Sequence, residues 1–141
     1  MRVAVFLHVL MLGTWLGCLL VEGVLEAMAW RDDAMLVAVS RLHRRIDLFV
    51  EIPTFVGVLL TGLWLTQSVT WSALLVAKIA LGCFAIAVNV ACVAPVLRRS
   101  SAADASDLGR MRRESRWVHL AFAVGVPAGL SAAVIGVYRI L

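Results

Sequence analysis

The chain has 141 residues, of which 62% are hydrophobic and 16% are charged. Soluble domains usually contain about a quarter charged residues, so this composition excludes an ordinary water-soluble domain. The formal net charge is +4. Because the basic residues flank the apolar stretches and form no continuous patch, the charge does not indicate binding of nucleic acid.

Four stretches contain no Lys, Arg, Asp or Glu, and each approaches or exceeds the about 20 apolar residues that cross a bilayer. They are Val3–Val21, Ile52–Ala77, Ile79–Leu97 and Trp117–Tyr138. Since Lys78 alone separates the second stretch from the third, the polar segment Gln67–Thr70 marks the turn between two helices. We therefore predict an all-α polytopic membrane protein, a four-transmembrane-helix bundle in a single domain over residues 1–141, with spans at about 3–28, 46–66, 71–97 and 117–139.

The beginning of the chain also has features of a secretory signal peptide. Met1-Arg2 precedes an apolar run, and Ala27-Met28-Ala29 could serve as the cleavage site. The apolar run is longer than the usual core of a signal peptide. We therefore expect this segment to be retained as the first membrane span.

Arginine is concentrated between spans one and two and between spans three and four, whereas the turn between spans two and three is uncharged. Positively charged loops mark the cytoplasmic face, which predicts an N-out/C-out topology. The segment at about 32–45 has helical hydrophobic spacing, which predicts an interfacial helix or an extension of span two. We expect His43 to be a solvated loop residue, and Ser100–Gly109 to be the most flexible segment.

Each predicted span carries one stripe of polar side chains, and ionisable groups within spans tend to face the bundle interior. With ~1.5 Å of rise per residue, His8 and Lys78 fall in the outer half of the membrane. His8 and His119 are then about 20 Å apart along the membrane normal, too far to bind one metal ion together. The inner half contains Glu22, Glu26, Glu51, Asn89 and His119.

The cysteines and glycines of the spans are expected to pack helices together. Cys18, Cys83 and Cys92 show no CxxC spacing, which is typical of small apolar packing residues. Small residues four positions apart allow close approach of helices. They occur in spans one and four at Gly13, Gly17, Ala121, Gly125, Gly129 and Ala133.

Somewhat more than half of the chain resembles a known family. The segment Phe6–Glu22 (FLHVLMLGTWLGCLLVE) resembles the first helix of HemJ-type protoporphyrinogen oxidases and of CopD-like membrane proteins. The second and third helices of the HemJ family are similar to Arg44–Gly82 (RRIDLFVEIPTFVGVLLTGLWLTQSVTWSALLVAKIALG). The family's closing Asn-Glu-x-Pro-Thr motif is absent from span four. The matching positions are His8, Trp15, Gly17, Pro53, Gly62, Trp64, Trp71 and Lys78.

This resemblance implies a haem-b-binding oxidoreductase of a cell membrane, with the bacterial plasma membrane favoured. The implied chemistry is oxidation of a porphyrinogen or a related redox reaction. His8 would be an axial ligand, and Lys78 would be the catalytic partner, as a second ligand or as a proton or propionate partner. The other residues implied to bind the cofactor form its aromatic walls or leave room for its plane; they are Trp15, Gly17, Gly62 and Trp64.

Two alternatives stay open. The carboxylates and imidazole of the inner half form a ligand set suited to Fe, Mn or Zn, while the CopD-like resemblance favours Cu. The protein would then be a metalloenzyme or a metal transporter. In the third hypothesis it is a non-catalytic subunit of a membrane complex, or a homo-oligomer, whose glycines pack against partner helices. The metal-ligand candidates are His8, Glu22, Glu26, Glu51 and His119.

Overall fold

The computed structural model describes residues 2–138, and this part of the chain contains helices and no strand. The helices are α1 (Arg2–Ala29), α2 (Asp33–Ile46), a π-helical turn (Asp47–Glu51), α3 (Ile52–Thr66), α4 (Ala73–Asp104) and α5 (Leu108–Tyr138). Because α2, the π-helical turn and α3 are continuous, the described residues form four long helices. Each is long and apolar enough to cross a membrane. The predicted helical class and the four helices of spanning length are confirmed.

The four helices are longer than a bilayer requires. They contain 28, 34, 32 and 31 residues, or about 42–51 Å at ~1.5 Å per residue, against a hydrocarbon thickness of about 30 Å. The tight turns Trp30–Asp32 and Ala105–Asp107 both lie at the end of the bundle that bears most of the arginines. We call this the arginine end. The opposite end, called the terminal end, contains the first turns of α1 and the 67–72 segment.

The arginine end has an apolar core of its own. Small residues of α4 pack there against α2 and the ends of α1 and α5, and the buried members are Ala29, Leu36, Val39, Ala102, Ala103 and Met111. The segment Ser100–Gly109, which was expected to be flexible, is helical apart from the turn Ala105–Asp107. α4 continues to Asp104 and α5 begins at Leu108, because burial of these small side chains holds the segment in helices.

α2 is the beginning of the second long helix. The Asp32 carboxylate caps it by accepting a hydrogen bond from the Ala34 backbone N–H at 2.8 Å. No break follows at Ile46, so the segment predicted as an interfacial helix corresponds to the alternative that it extends span two. Pro53 explains the π-helical turn, since proline lacks an N–H and its ring clashes with the carbonyl four residues earlier. The wider turn accommodates this clash, and the Ile52 N–H bonds to the Asp47 carbonyl.

A second apolar core lies farther toward the terminal end. We call it the mid-bundle core, and its buried members are Trp15, Phe55, Val58, Ala85 and Ala128. Between the two ends, the outer surface of the bundle is largely apolar, as a lipid-facing surface must be. Exposed tryptophans lie toward both ends, where the two membrane–water interfaces would be. They are Trp30 and Trp117 toward the arginine end, and Trp64 and Trp71 toward the terminal end.

Candidate functional site

A layer of charged side chains is buried between the two apolar cores. Four carboxylates in this layer face one arginine and one histidine. The carboxylates come from α1 and the π-helical turn, the histidine comes from α2, and the arginine comes from α4. Burying charge is costly unless it is paired or bound to a cation. We call this layer the charged cluster; it consists of Glu22, Glu26, His43, Asp47, Glu51 and Arg99.

His43 lies at the centre of the charged cluster, and the expectation that it would be a solvated loop residue was wrong. The residue is 4% exposed, because α2 turns one face toward the bundle. Leu36, Val39 and Ser40 precede His43 on this buried face at helical spacing. The same spacing in the sequence could have identified His43 as an inward-facing residue.

Arg99 and Glu26 hold one side of the imidazole. Nη1 of Arg99 donates hydrogen bonds to Oε2 of Glu26 at 2.7 Å and to Oγ of Ser115 at 3.2 Å, while Nη2 donates to Oε1 of Glu26. Nδ1 of His43 lies 2.8 Å from Oε1 of Glu26 and 2.8 Å from Nη2 of Arg99. The neutral ring can therefore donate Nδ1–H to Glu26, or accept a hydrogen bond from Arg99 at the same atom.

The opposite ring atom faces two carboxylates. Nε2 of His43 lies 3.4 Å from Oε2 of Glu22 and 3.4 Å from Oδ1 of Asp47. Oδ1 of Asp47 and the other oxygen of Glu22 are buried without a hydrogen-bond partner. When Nδ1–H donates to Glu26, Nε2 presents a lone pair toward these oxygens. The three ligand atoms lie within 4.8 Å of one another, which suits coordination of a metal ion.

The separations agree with the geometry of a small coordination shell. Zinc is bound by imidazole nitrogen and carboxylate oxygen at about 2.0–2.2 Å, so two ligands of a tetrahedral shell lie about 3.4 Å apart. Nε2 of His43 is at this distance from both oxygens. The carboxylate hydrogen-bonded to the other ring nitrogen also matches metal-binding histidines, which commonly donate their second N–H to a carboxylate. Glu26 occupies that position for His43.

Glu51 extends the charged cluster toward the mid-bundle core. Its carboxyl group lies within hydrogen-bonding range of Glu22, and its Oε1 is buried without a partner. The sulfur of Cys18 lies within 4.8 Å of oxygens of both glutamates. A cavity of about 30 Å³ is lined by Glu22 and Glu51 and also by Trp15, Asn89 and Phe122. It has room for one or two water-sized ligands and is far too small for a porphyrin.

The two histidines predicted as metal ligands lie outside the charged cluster. Nδ1 of His119 donates to the Ser115 carbonyl at 2.7 Å, and its ring packs edge-on against Trp30 with centroids 5.3 Å apart. His119 borders a shallow groove with Arg31 and Arg116. His8 lies toward the terminal end, on the far side of the mid-bundle core. Of the predicted metal ligands, the structure brings together Glu22, Glu26 and Glu51.

His8 and Lys78, the pair implied by the family resemblance, lie close enough to each other for an electrostatic interaction. Nδ1 of His8 is 2.9 Å from the Thr61 hydroxyl oxygen. That hydroxyl donates its proton to the Gly57 carbonyl at 2.6 Å, so its oxygen accepts from Nδ1–H of His8. Nε2 of His8 is then the ring atom that carries the lone pair.

The other residues implied to hold a porphyrin do not surround His8. Trp64 is 67% exposed on the outer surface, and Gly17 faces open space. Trp15 is buried but packs against Phe55, with ring centroids 6.3 Å apart. A Cβ atom at Gly62 would lie 3.3 Å from Cε1 of His8, so this glycine makes room for the imidazole ring itself.

Comparison of the chain with models of protein families, with curated proteins and with solved structures finds no match. The resemblance to HemJ-type enzymes therefore stays a prediction from the sequence, and the geometry of the buried polar residues carries the functional argument.

Proposed function

We propose that this chain is an integral membrane metalloprotein that binds a first-row divalent ion through Glu22, His43 and Asp47. Zn²⁺, Fe²⁺ and Mn²⁺ are the ions that such a carboxylate and imidazole ligand set favours. One observation carries the proposal: Nε2 of His43 faces a carboxylate oxygen of each acidic residue at 3.4 Å, while its other ring nitrogen is held by Glu26.

The net charge of the cluster also supports a bound cation. Four buried carboxylates face the single guanidinium of Arg99, so a neutral imidazole leaves three negative charges uncompensated when every carboxyl is ionised. Isolated buried charge is costly, and such groups take up protons or bind metal ions. A divalent ion between Glu22, His43 and Asp47 would remove most of this excess. Glu26 would remain outside the shell because Arg99 already neutralises it.

We infer that the arginine end faces the cytoplasm, since short loops rich in arginine mark the cytoplasmic side. Both termini would then lie outside, and the charged cluster would lie in the inner part of a cell membrane, with the bacterial plasma membrane favoured. The mid-bundle core separates the cluster from the outer side with apolar side chains. This arrangement favours a resident metal ion over an ion carried across the membrane.

The proposed chemistry is confined to small ligands. A bound divalent ion supplies Lewis acidity, or redox chemistry if it is iron or manganese. The adjoining cavity of about 30 Å³ admits ligands of the size of water. Glu51, whose Oε1 lies in this region without a hydrogen-bond partner, is the candidate to accept or donate a proton there.

Metal analysis of the protein purified in detergent tests the proposal. We expect at least one equivalent of metal in the wild type, loss of that metal in His43→Ala, and retention in the matched control His119→Ala, whose imidazole lies outside the cluster. On reconstitution, the wild type and His119→Ala should bind Zn²⁺ with similar affinity, and His43→Ala should bind it more weakly. Absence of metal from the wild type after growth and reconstitution with zinc, iron and manganese would overturn it.

A second candidate function is binding of haem b at the terminal end, as the resemblance implies. The observation that favours it is the His8 ring, whose Nδ1 is fixed by Thr61 so that Nε2 can act as a ligand near Lys78. Trp64 and Gly17 face outward, so a porphyrin there would have to contact the outer surface of the bundle. A Soret band that disappears in His8→Ala and persists in His43→Ala would support this candidate. A protein with neither haem nor metal, purified with other subunits, would favour the non-catalytic hypothesis.

A further inference from the structure

We propose that the charged cluster holds a second metal position, formed by Cys18, Glu22 and Glu51, and that Glu22 bridges the two ions. This inference rests on the proposed function, because it adds a second ion to the site described above. The ligand atoms of these three residues lie within 4.8 Å of one another, as do those of Glu22, His43 and Asp47. Glu22 belongs to both groups.

Only one oxygen of Glu22 faces His43. Oε2 lies 3.4 Å from Nε2 of His43, while Oε1 is buried and makes no hydrogen bond. Oε1 of Glu51 is also buried without a partner, although the two carboxyl groups lie within hydrogen-bonding range. Both side chains are 2% exposed, so water cannot easily satisfy these oxygens. Carboxylates this close repel each other unless a proton or a cation lies between them.

Each of the two metal positions has three candidate ligands, and Glu22 is common to both. Cys18 and Glu22 are four residues apart on α1 and therefore lie on one face of that helix. The π-helical turn contributes its first residue, Asp47, to one position and its last residue, Glu51, to the other. The two ligand groups share one bridging residue, and π-helical turns are often found at functional sites.

The balance of charge favours two ions with a thiolate. One divalent ion leaves the ionised cluster, with its four carboxylates and Arg99, with one excess negative charge. A second divalent ion that displaces the proton of Cys18 brings the cluster to neutrality, and the displaced proton leaves to solvent. A thiolate also suits Zn²⁺ or Co²⁺ as a ligand. We therefore assign Cys18 as a ligand, where the sequence favoured a packing role.

Cobalt reconstitution of the purified full-length protein tests this second position. Co²⁺ bound by a thiolate gives a charge-transfer absorption in the near ultraviolet, whereas Co²⁺ bound by oxygen and nitrogen gives only weak bands in the visible. We expect two equivalents of Co²⁺ and the thiolate absorption in the wild type. Cys18→Ser should lose that absorption and one equivalent of cobalt. The matched control is Cys92→Ser, because Cys92 lines the adjoining cavity but belongs to neither ligand group.

The outcomes separate this inference from the proposed function. Glu51→Gln, which has nearly the same shape, should also reduce two equivalents to one and provides a second variant. A single equivalent that Cys18→Ser leaves unchanged would overturn the second position and leave the first intact. Loss of both equivalents in Cys18→Ser and in Glu51→Gln would show one indivisible site and also overturn the assignment. Absence of cobalt from the wild type would overturn the second position, and the proposed function is overturned only if zinc, iron and manganese are absent as well.

Discussion

Replacement of Glu26 by glutamine tests whether Arg99, Glu26 and His43 act as one supporting unit. The amide keeps the shape of the side chain and removes the charge that faces a fully buried guanidinium. Removing one partner of a buried ion pair costs about 3–5 kcal/mol, because the remaining charge is left uncompensated. We therefore expect the metal-free Glu26→Gln protein to lose about 3–5 kcal/mol of unfolding free energy.

The same substitution should weaken metal binding. The amide oxygen of Glu26→Gln can still accept a hydrogen bond from Nδ1 of His43. However, the unneutralised Arg99 guanidinium lies 2.8 Å from this nitrogen, and its charge disfavours a cation on the far side of the ring. Loss of a carboxylate that orients a metal-binding histidine typically lowers metal affinity about 10–100-fold, or ~1.4–2.8 kcal/mol. We expect the Kd for Zn²⁺ to rise by that factor.

Two measurements check these values against a matched control. Unfolding in mixtures of detergent and SDS, followed by tryptophan fluorescence, gives the unfolding free energy, and competition with a chromophoric chelator gives the Kd. The control is Asp104→Asn, which makes the same chemical change in an exposed ion pair with Arg41. Exposed pairs contribute about 0–1 kcal/mol. A Glu26→Gln protein that matches Asp104→Asn in both measurements would refute the reasoning.

Three further predictions follow from the structure. Metal at about 100 times its Kd should stabilise the wild type by about 2.7 kcal/mol in the same unfolding assay, and it should leave His43→Ala unchanged. Gly57→Ala should lower the unfolding free energy by about 1 kcal/mol, since its Cβ would overlap Sδ of Met11 and force that flexible side chain to move. Gly13→Ala, which meets open space, should not lower it. In a chain without its native cysteines, Ser68→Cys should react with an impermeant thiol reagent on intact cells and Ser106→Cys only after lysis; the reverse pattern would overturn the N-out/C-out topology.

The fold could be predicted because the runs of apolar residues directly indicate the number and approximate length of the spanning helices. The residues at which the helices end or begin at the arginine end could not be predicted in the same way. Arginine interrupts the hydropathy signal near residues 98 and 116, but the helices continue to Asp104 and resume at Leu108. They do so because this end has its own apolar core, which includes Ala103 and Met111. Such a core depends on contacts between four helices, and no single segment reveals it.

The site was predicted in part. Glu22, Glu26 and Glu51 are conspicuous because ionisable residues in apolar helices are costly. His43 was missed because depth was assigned by position along the chain, which placed it in a loop. Arg99 was missed because it follows another arginine, and the sequence does not distinguish the two. In the structure Arg98 is 58% exposed at its side chain, while Arg99 is fully buried against Glu26.

Stability alone does not explain why charged residues occupy the layer between two apolar cores. Well-packed apolar side chains in place of a buried ion pair are often neutral or stabilising by about 1–4 kcal/mol. The pair of Arg99 and Glu26 neutralises itself, but Glu22, Asp47 and Glu51 share only the imidazole of His43, whose single charge when protonated cannot neutralise three carboxylates. Their mutual repulsion therefore opposes folding until a proton or metal ion neutralises it. An ion that binds there stabilises the folded state by relieving this repulsion, so the cost of the buried charge and the affinity for the metal have the same physical origin.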